Sequence, residues 1–314
     1  MTVAEYKTRI GMSMQKSNVP GSTRPENAGG TRLVTVIVAA HKRYRMPEDL
    51  IYLPLHVGAE GKKDDAGRPL DLGYRKDNTG DNISELNPGF CELTGLYWAW
   101  KNLDSGYIGL AHYRRHFRGS GKGKRTDRRT GGPGKDPFRR ILRGQELRPM
   151  LDRYQVFVPK KRRYWVETLY SHYAHTHYAE HLDITREIIT ERCPEYLPAF
   201  DRVMKQRWGY MFNMMILRRD LLDDYCSWLF DILFRLRERL PEGELSGYQG
   251  RLYGRVSELL FNVWLTYRKE HPQNGKKLRV RELPYIYMEK TDWIRKGTAF
   301  MKARIFGKRY EGSF

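Results

Sequence analysis

The segment from Leu33 to Ala40 limits the folds open to this chain, because it is apolar almost throughout and rich in β-branched side chains. A strand that faces water on one side alternates apolar and polar residues. A continuous apolar run is instead typical of a strand buried on both faces, as in a parallel sheet that carries helices on both sides. His41 follows directly, so polar groups begin at the carboxyl end of the predicted strand.

Strand and helix patterns alternate along the rest of the chain. A second strand is predicted at Ile51–Val57, where Pro54 favours an edge position. Further strands are predicted at Tyr107–Leu110, Gln155–Pro159, Tyr210–Leu217 and Leu283–Met288. Helices are predicted from Asn87 through Trp100 and at Ile141–Tyr154, Tyr170–His181, Asp183–Arg192, Arg219–Leu240 and Gly254–Arg268. This alternation predicts an α/β fold with an open, mostly parallel sheet flanked by helices and a helical C-terminal portion.

The charge of the chain indicates an anionic partner. It has 314 residues and a formal net charge of +20, which suits nucleic acid, phospholipid headgroups or phosphorylated small molecules. Its three cysteines are widely spaced, which argues for free thiols in a reducing compartment. The sequence shows neither the apolar core of a secretory signal nor the roughly 18 apolar residues of a membrane span. We therefore expect a cytoplasmic protein, either soluble or peripheral on the inner face of the cytoplasmic membrane.

The sequence predicts a single domain of residues 32–314 preceded by a leader. Three segments differ in composition from the rest of the chain. Residues 1–31 lack apolar periodicity and are rich in Gly, Ser, Asn and Pro, which predicts a disordered leader. Residues 118–140 predict a long basic loop of the kind that covers active sites. Residues 291–310 predict a basic amphipathic segment, which either packs on the domain or lies on an anionic membrane.

Functional side chains concentrate between Leu70 and Phe117. A polar loop with Asp77 and Asp81 precedes an aromatic-rich helix, and the next strand leads into His112–Arg115. Ligands of open α/β sheets bind outside the carboxyl ends of the strands. The two adjacent guanidinium groups suit phosphate there, because they offer paired hydrogen bonds. The alternative is that they only pair with surface carboxylates.

Two polar clusters leave several roles open. The carboxylates of Asp77 and Asp81 could hold a divalent cation, bind a ribose and base, or only form an Asx turn. The histidines of residues 172–181 include an i,i+4 pair that could bind zinc, although HExxH is absent. They could equally supply a general base or a substrate contact, or form a solvated surface.

Several strings together resemble a known bacterial family, whereas the motifs GxxxxGK[ST], GxGxxG and GxSxG are absent. The strings are GDNIS, CELTGLYWAWKN, YIGLAHYRRHF, ETLYSHYAHTHY, MFNMMIL, GRVSE and KGTAFMKA. The family, long classified as a domain of unknown function, occurs among capsular and exopolysaccharide biosynthesis proteins. It resembles GT-A-type glycosyltransferases that use nucleotide sugars, and the similarity runs from Arg32 to Ile305. The basic insertion and the leader depart from the family pattern.

The resemblance implies a GT-A-like hexosyltransferase that moves galactofuranose or galactose from a UDP-sugar to a hydroxyl of a lipid-linked glycan, with inversion. GT-A enzymes usually hold Mn²⁺ or Mg²⁺ with Asp-x-Asp at a strand end. Here that strand leads into His112–Arg115, so the arginines are expected to neutralise the diphosphate, with a metal at Asp77 and Asp81 as the alternative.

We assign roles to candidate residues on this basis. The expected donor-binding residues are His41, Asp77, Thr79, Asp81, Asn82, Glu92, His112, Tyr113, Arg114 and Arg115. The expected acceptor-binding residues are His177 and Asn213. The candidates for the catalytic base are Glu167, His172, His175 and Glu258, the last of which also fits an ordinary helix-surface carboxylate.

Two other functions compete with this one. A nucleic-acid-binding protein without catalytic activity would use the positive charge and the aromatic residues, although the sequence shows no known nucleic-acid module and we expect no nucleic acid to bind. A metal hydrolase would use the histidine cluster. Binding of UDP-sugars separates the first function from both alternatives.

Overall fold

The computed structural model describes residues 32–120, 136–240, 249–272 and 275–288. The predicted leader at 1–31, residues 121–135 of the predicted basic loop and the C-terminal segment at 291–310 lie outside these residues.

The described strands and helices alternate along most of the chain. The strands are β1 (Arg32–Ala40), β2 (Tyr52–His56), β3 (Arg75–Lys76), β4 (Ser105–His112), β5 (Arg115–Phe117), β6 (Val156–Pro159), β7 (Arg162–Arg163), β8 (Trp208–Gly209), β9 (Met215–Arg218), β10 (Val280–Leu283) and β11 (Tyr285–Tyr287). The α-helices are α1 (Asn87–Phe90), α2 (Leu93–Asn102), α3 (Gly144–Leu151), α4 (Leu169–Thr176), α5 (Glu180–Arg192), α6 (Leu197–Lys205), α7 (Arg219–Arg239) and α8 (Leu252–Glu270). None of the described helices is both long and apolar enough to cross a membrane.

The main sheet is open and mostly parallel. Its central order is β10-β6-β9-β4-β1-β2-β3, and β5 and β11 extend it from the end of β4. β1 runs parallel to β2 and β4, whereas β9 is antiparallel to its neighbours β4 and β6. The predicted α/β class, with an open, mostly parallel sheet flanked by helices, is therefore confirmed. β7 and β8 form a separate antiparallel ribbon.

Both faces of β1 are buried, as its continuous apolar sequence predicts. Ile37 and Ala39 face the core built with helices α2, α7 and α8, whereas Val36 and Val38 face a second core that includes α3. Each face removes apolar surface from water, at about 25 cal/mol per Å² of buried area. This double burial fixes the position of β1, and therefore of the polar residues that follow its carboxyl end.

Two predicted elements are interrupted, and both interruptions border the site described below. The helix predicted from Asn87 through Trp100 breaks at Cys91, whose φ is 53°. The strand predicted at Tyr210–Leu217 begins only at Met215, because Phe212 and Asn213 adopt φ values of 75° and 50°. Positive φ is uncommon for residues other than glycine and is often found at functional sites.

Smaller differences concern the boundaries of other elements. β2 is not the edge strand, because the short β3 pairs outside it. The segment predicted as one strand at Leu283–Met288 divides between β10 and β11, and the helix α6 lies in a segment for which no element was predicted.

Candidate active site

The carboxyl ends of β1, β2 and β4 lie side by side. In the register of the sheet, Ala40 is opposite His56 on β2, and Ala39 is opposite His112 on β4. The polar residues that follow β1 and β4 therefore share one edge of the sheet. This is the edge at which ligands of open α/β sheets bind.

The turn after β4 is held by Tyr113. Its backbone N–H donates to the carbonyl oxygen of Ala39 at 3.2 Å. Its ring is buried and stacks on Tyr44, with 3.8 Å between the ring centroids, and contacts His41 edge-on at 5.3 Å. Tyr113 was predicted to bind the donor, but these contacts give it the role of packing the turn that presents its neighbours.

His112 is neutral in this environment. Burial lowers its pKa to about 3, and the positive charges of Arg115 and Arg114 act in the same direction. Its Nδ1 accepts the backbone N–H of Arg114 at 3.4 Å, so Nε2 carries the proton. His112 can therefore donate a hydrogen bond to a ligand, but it adds no positive charge.

Arg115 presents a guanidinium group that is enclosed by aromatic rings. It lies over the ring of Phe212, 4.4 Å from its centroid, and 5.4 Å from that of Tyr287. Its buried Nε has no hydrogen-bond partner, and Arg115 forms no ion pair with another described residue. An arginine stacked in this way keeps its planar edge available for paired hydrogen bonds to an anionic ligand.

Glu258 lies near Arg115 and has the chemistry of a general base. Its pKa is raised to about 7; burial is the largest cause, and the negative charge of Glu92 acts in the same direction. A hydrogen bond from the backbone N–H of Phe212 and the positive charges of Arg115 and Arg162 limit this increase. A carboxylate with a pKa near 7 is present in both protonation states at neutral pH, which is the condition for efficient proton transfer.

Asn213 positions Glu92 from inside the protein. It is buried, its Nδ2 donates to Glu92 Oε1 at 2.9 Å and to the Gly254 carbonyl at 2.8 Å, and its Oδ1 accepts from Ser257 Oγ. Both amide hydrogens of Asn213 are bonded inside the protein, so these contacts do not support its predicted acceptor-binding role. With this left-handed backbone, the N–H of Phe212 bonds to Glu258 and the side chain of Asn213 bonds to Glu92.

Asp77 belongs to the interior and is removed from the proposed donor site. Its Oδ1 accepts from Ala59 N–H and Ser84 Oγ, and its Oδ2 accepts from Gly58 N–H and Thr94 Oγ1. A fully buried carboxylate with four donors is satisfied in place and has no oxygen directed toward a nucleotide or metal.

The other residues of the predicted polar loop lie elsewhere. The backbone of Asp81 bonds with the side chain of Asn102, at the C-terminal end of α2. Glu92 precedes the N-terminal end of the same helix, about 15 Å away at 1.5 Å per residue. Thr79 accepts the indole N–H of Trp98, and Asn82 bonds only within its own turn. The predicted donor contacts of Thr79, Asp81 and Asn82, and a metal between Asp77 and Asp81, do not fit this geometry.

The four histidines of residues 172–181 do not converge. The Nδ1 atoms of His172 and His175 bond to the two carboxylate oxygens of Glu167, at 2.6 and 2.8 Å. His177 is buried, and its Nδ1 lies 2.9 Å from Arg255 Nη1, so its predicted acceptor contact is not supported. No group of three or more metal-binding side chains occurs among the described residues.

Two arginines near these residues, Arg251 and Arg255, were not among the predicted site residues. The charge of Arg251 helps lower the pKa values of His41 and His112, and its Nε donates to Cys91 Sγ at 3.2 Å. Arg251 directly precedes α8, and Arg255 lies about one turn further along, in the first turn of that helix. The spacing of Arg251, Arg255 and Glu258 is i, i+4, i+7, which places all three on one face of a helix. This spacing in the sequence could have predicted that the two arginines lie beside Glu258.

Comparisons with known proteins identify a family and a similar solved structure. The model of a family described as Domain of unknown function (DUF4422) matches residues 35–270. The apo structure of WbbM, described as a bifunctional glycosyltransferase, is similar with a TM-score of 0.68 and 28% sequence identity. The match covers 82% of this chain and 45% of that one, so this chain spans less than half of its length. No curated protein sequence is significantly similar.

Proposed function

The chain belongs to the DUF4422 family, and from this premise and the chemistry of the cleft we propose that it is a glycosyltransferase. It transfers a hexose, galactofuranose or galactose, from a UDP-sugar to a hydroxyl of a glycan acceptor in capsule or exopolysaccharide synthesis. One observation carries the proposal: Glu258, whose pKa is about 7, lies near the guanidinium of Arg115, whose buried Nε has no hydrogen-bond partner. The similarity to WbbM supports glycosyl transfer as the reaction class.

The arginines supply the binding site for the donor diphosphate. Arg115 forms no ion pair with another described residue and its buried Nε has no hydrogen-bond partner, while Arg114 and Arg251 act on the same imidazole, that of His112. Guanidinium groups neutralise a diphosphate with paired, charge-assisted hydrogen bonds. Asp77 and Asp81 do not fit a cation site, and this chain's own cations are the proposed partners of the diphosphate charge.

The chemical step then needs one base and one leaving group. The acceptor hydroxyl oxygen attacks the anomeric carbon as the bond from that carbon to the diphosphate oxygen breaks. The bonding electron pair leaves with the diphosphate, whose added negative charge the arginines stabilise. The hydroxyl proton passes to the carboxylate of Glu258. A single displacement of this kind inverts the anomeric configuration.

Among the four predicted bases, Glu258 has the most suitable environment. Both oxygens of Glu167 already accept from histidines, and His172 and His175 each use Nδ1 in that contact. Burial lowers the pKa of His172, which disfavours proton uptake by its imidazole. Glu258 has a backbone donor from Phe212 that fixes its orientation and a pKa suited to its role.

Incubation of the protein with a panel of nucleotide sugars and glycan acceptors tests the proposal. We expect acceptor-dependent release of UDP from a UDP-hexose that persists in EDTA. A parallel incubation with Arg115→Met should abolish this release, since the aliphatic chain can still pack on the aromatic rings without the charge. Equal UDP release by wild type and Arg115→Met would overturn the assignment of the site.

A further inference from the structure

An exposed apolar pair follows the ribbon formed by β7 and β8. Trp165 and Val166 are adjacent in the chain, and their side chains are 85% and 62% exposed. Among the described residues, Leu33 and Leu50 are the other large apolar side chains with comparable exposure, and neither has such a neighbour. Single exposed apolar residues are ordinary on protein surfaces, whereas contiguous ones indicate a contact surface.

Basic residues surround this pair. Lys160, Arg162 and Arg163 precede it, and the carbonyl of Arg207 accepts the backbone N–H of Tyr164. All four basic side chains are exposed, and none forms an ion pair with a described residue. The only carboxylate of residues 160–167 is Glu167, which is already bonded to two histidines.

Several arginines on other surfaces of the protein pair with carboxylates. Arg186 pairs with Asp201, and Arg218 pairs with Asp220. Arg239 pairs with Glu191 in the same manner. Lys161 pairs with Glu282, but the charges of Lys160, Arg162 and Arg163 are not neutralised by such pairs. This positive charge beside two exposed apolar side chains favours an anionic partner at this surface.

We propose that residues 160–166, together with Arg207, form a docking surface for an anionic lipid membrane. Trp side chains concentrate at the membrane–water interface, and an exposed Val gains free energy by leaving water. Lys and Arg bind anionic headgroups. A single-stranded nucleic acid would favour a series of aromatic rings on which bases stack. The aliphatic Val166 beside a single Trp fits lipid better.

The docking surface adjoins the candidate active site through Tyr164. The ring of Tyr164 lies 4.4 Å from that of His172. Burial raises the pKa of Tyr164 to about 12, and the charges of Glu258 and Glu167 contribute. The membrane would therefore lie on the side of the cleft that holds the base. If the proposed function is correct, a lipid-linked acceptor reaches Glu258 directly from that membrane.

Vesicle flotation of the full chain tests the docking surface without any substrate. The vesicles contain phosphatidylcholine alone or with phosphatidylglycerol. We expect binding only to the anionic vesicles, and at least a fivefold weaker binding for Arg163→Glu, on the order of one basic residue's contribution near such a surface. The double variant Trp165→Ser/Val166→Ser should lose binding by a similar or larger factor.

Matched control variants separate this surface from general effects of charge and hydrophobicity. Arg148→Glu changes an exposed arginine on α3, and Leu50→Ser changes an exposed apolar residue elsewhere. Arg148→Glu should bind anionic vesicles more tightly than Arg163→Glu. Leu50→Ser should bind them more tightly than the Trp165→Ser/Val166→Ser variant. Equal binding by the Trp165/Val166 variant and Leu50→Ser overturns the proposal, as does binding of an oligonucleotide with none to vesicles.

Turnover of a UDP-sugar with a soluble acceptor distinguishes failure of docking from failure of the proposed function. The Trp165/Val166 variant should retain that turnover, because neither residue contributes to the cleft. Loss of vesicle binding with retained turnover supports docking. Normal vesicle binding by this variant would contradict only the docking surface. Absence of turnover in wild type would contradict only the proposed function.

Discussion

Replacement of Glu258 by glutamine tests the assignment of the base. The change keeps the size and the hydrogen-bonding capacity of the side chain but removes its ability to accept a proton at neutral pH. The environment raises the pKa of Glu258 from 4.5 to about 7. At 1.36 kcal/mol per pH unit, protonation is favoured by about 3 kcal/mol more than in an exposed glutamate. At pH 7, therefore, about half of the protein molecules carry the carboxylate.

The assay is the pH dependence of kcat/KM for UDP release between pH 5 and 9. We expect the wild-type rate to rise with pH through about 7 and then level off. Glu258→Gln should be slower by about 10² to 10⁴ and should lose this rise, which corresponds to removal of a general base. Glu167→Gln is the control, and it should keep the rise near pH 7. A Glu258→Gln variant within threefold of wild type would refute the reasoning.

Four further predictions follow from the same contacts. First, because the folded state holds Glu258 at a raised pKa, it binds more protons than the unfolded state between pH 4.5 and about 7. The contribution of this carboxyl group to stability is therefore fully present below pH 4.5 and is lost as pH rises through about 7. At pH 8, denaturation should show Glu258→Gln up to about 3 kcal/mol more stable than wild type; equal free energies of unfolding would contradict this. Second, calorimetry should show that Arg115→Lys binds UDP more weakly than wild type, because an ammonium cannot offer paired hydrogen bonds; unchanged affinity would show that Arg115 is remote from phosphate. Third, Asp77→Asn should lose about 3 kcal/mol in urea denaturation, since it disrupts a buried, fully bonded carboxylate, whereas a loss of UDP affinity without a loss of stability would restore Asp77 to the donor site. Fourth, burial lowers the folded-state pKa of His112 from 6.5 to about 3, so wild type should lose stability as pH falls from 6.5 toward 3. His112→Gln should lose less over that interval in thermal unfolding, and an identical decline would place a charged imidazole in the fold.

The sheet and the location of the site could be predicted because their signals are local. The run from Leu33 to Ala40 must be buried on both faces wherever it lies, and the polar residues after β1 and β4 then share its carboxyl edge. The long helix α7 keeps an apolar face throughout, so its bounds agree with prediction to within a residue. Patterns of this kind need no knowledge of distant contacts.

The interior of the site could not be predicted, because its geometry depends on distant contacts. Residues 210–217 read as a strand by composition, but Phe212 donates its N–H to Glu258 and Asn213 bonds to Glu92. These contacts outweigh the local preference for extended backbone. Asp77 likewise resembles a ligand in sequence, and only its four donors, from Gly58 to Thr94, show that it is structural.

The assignment of the cleft at the ends of β1 and β4 to a nucleotide diphosphate is tested most directly by calorimetric titration. UDP and uridine are each titrated into wild type and Arg115→Met in the presence of EDTA. We predict that wild type binds UDP at least tenfold more tightly than uridine, and that Arg115→Met loses this preference, since one charge-assisted pair contributes about 1.5–3 kcal/mol. Equal affinities of wild type and Arg115→Met for UDP would contradict the account.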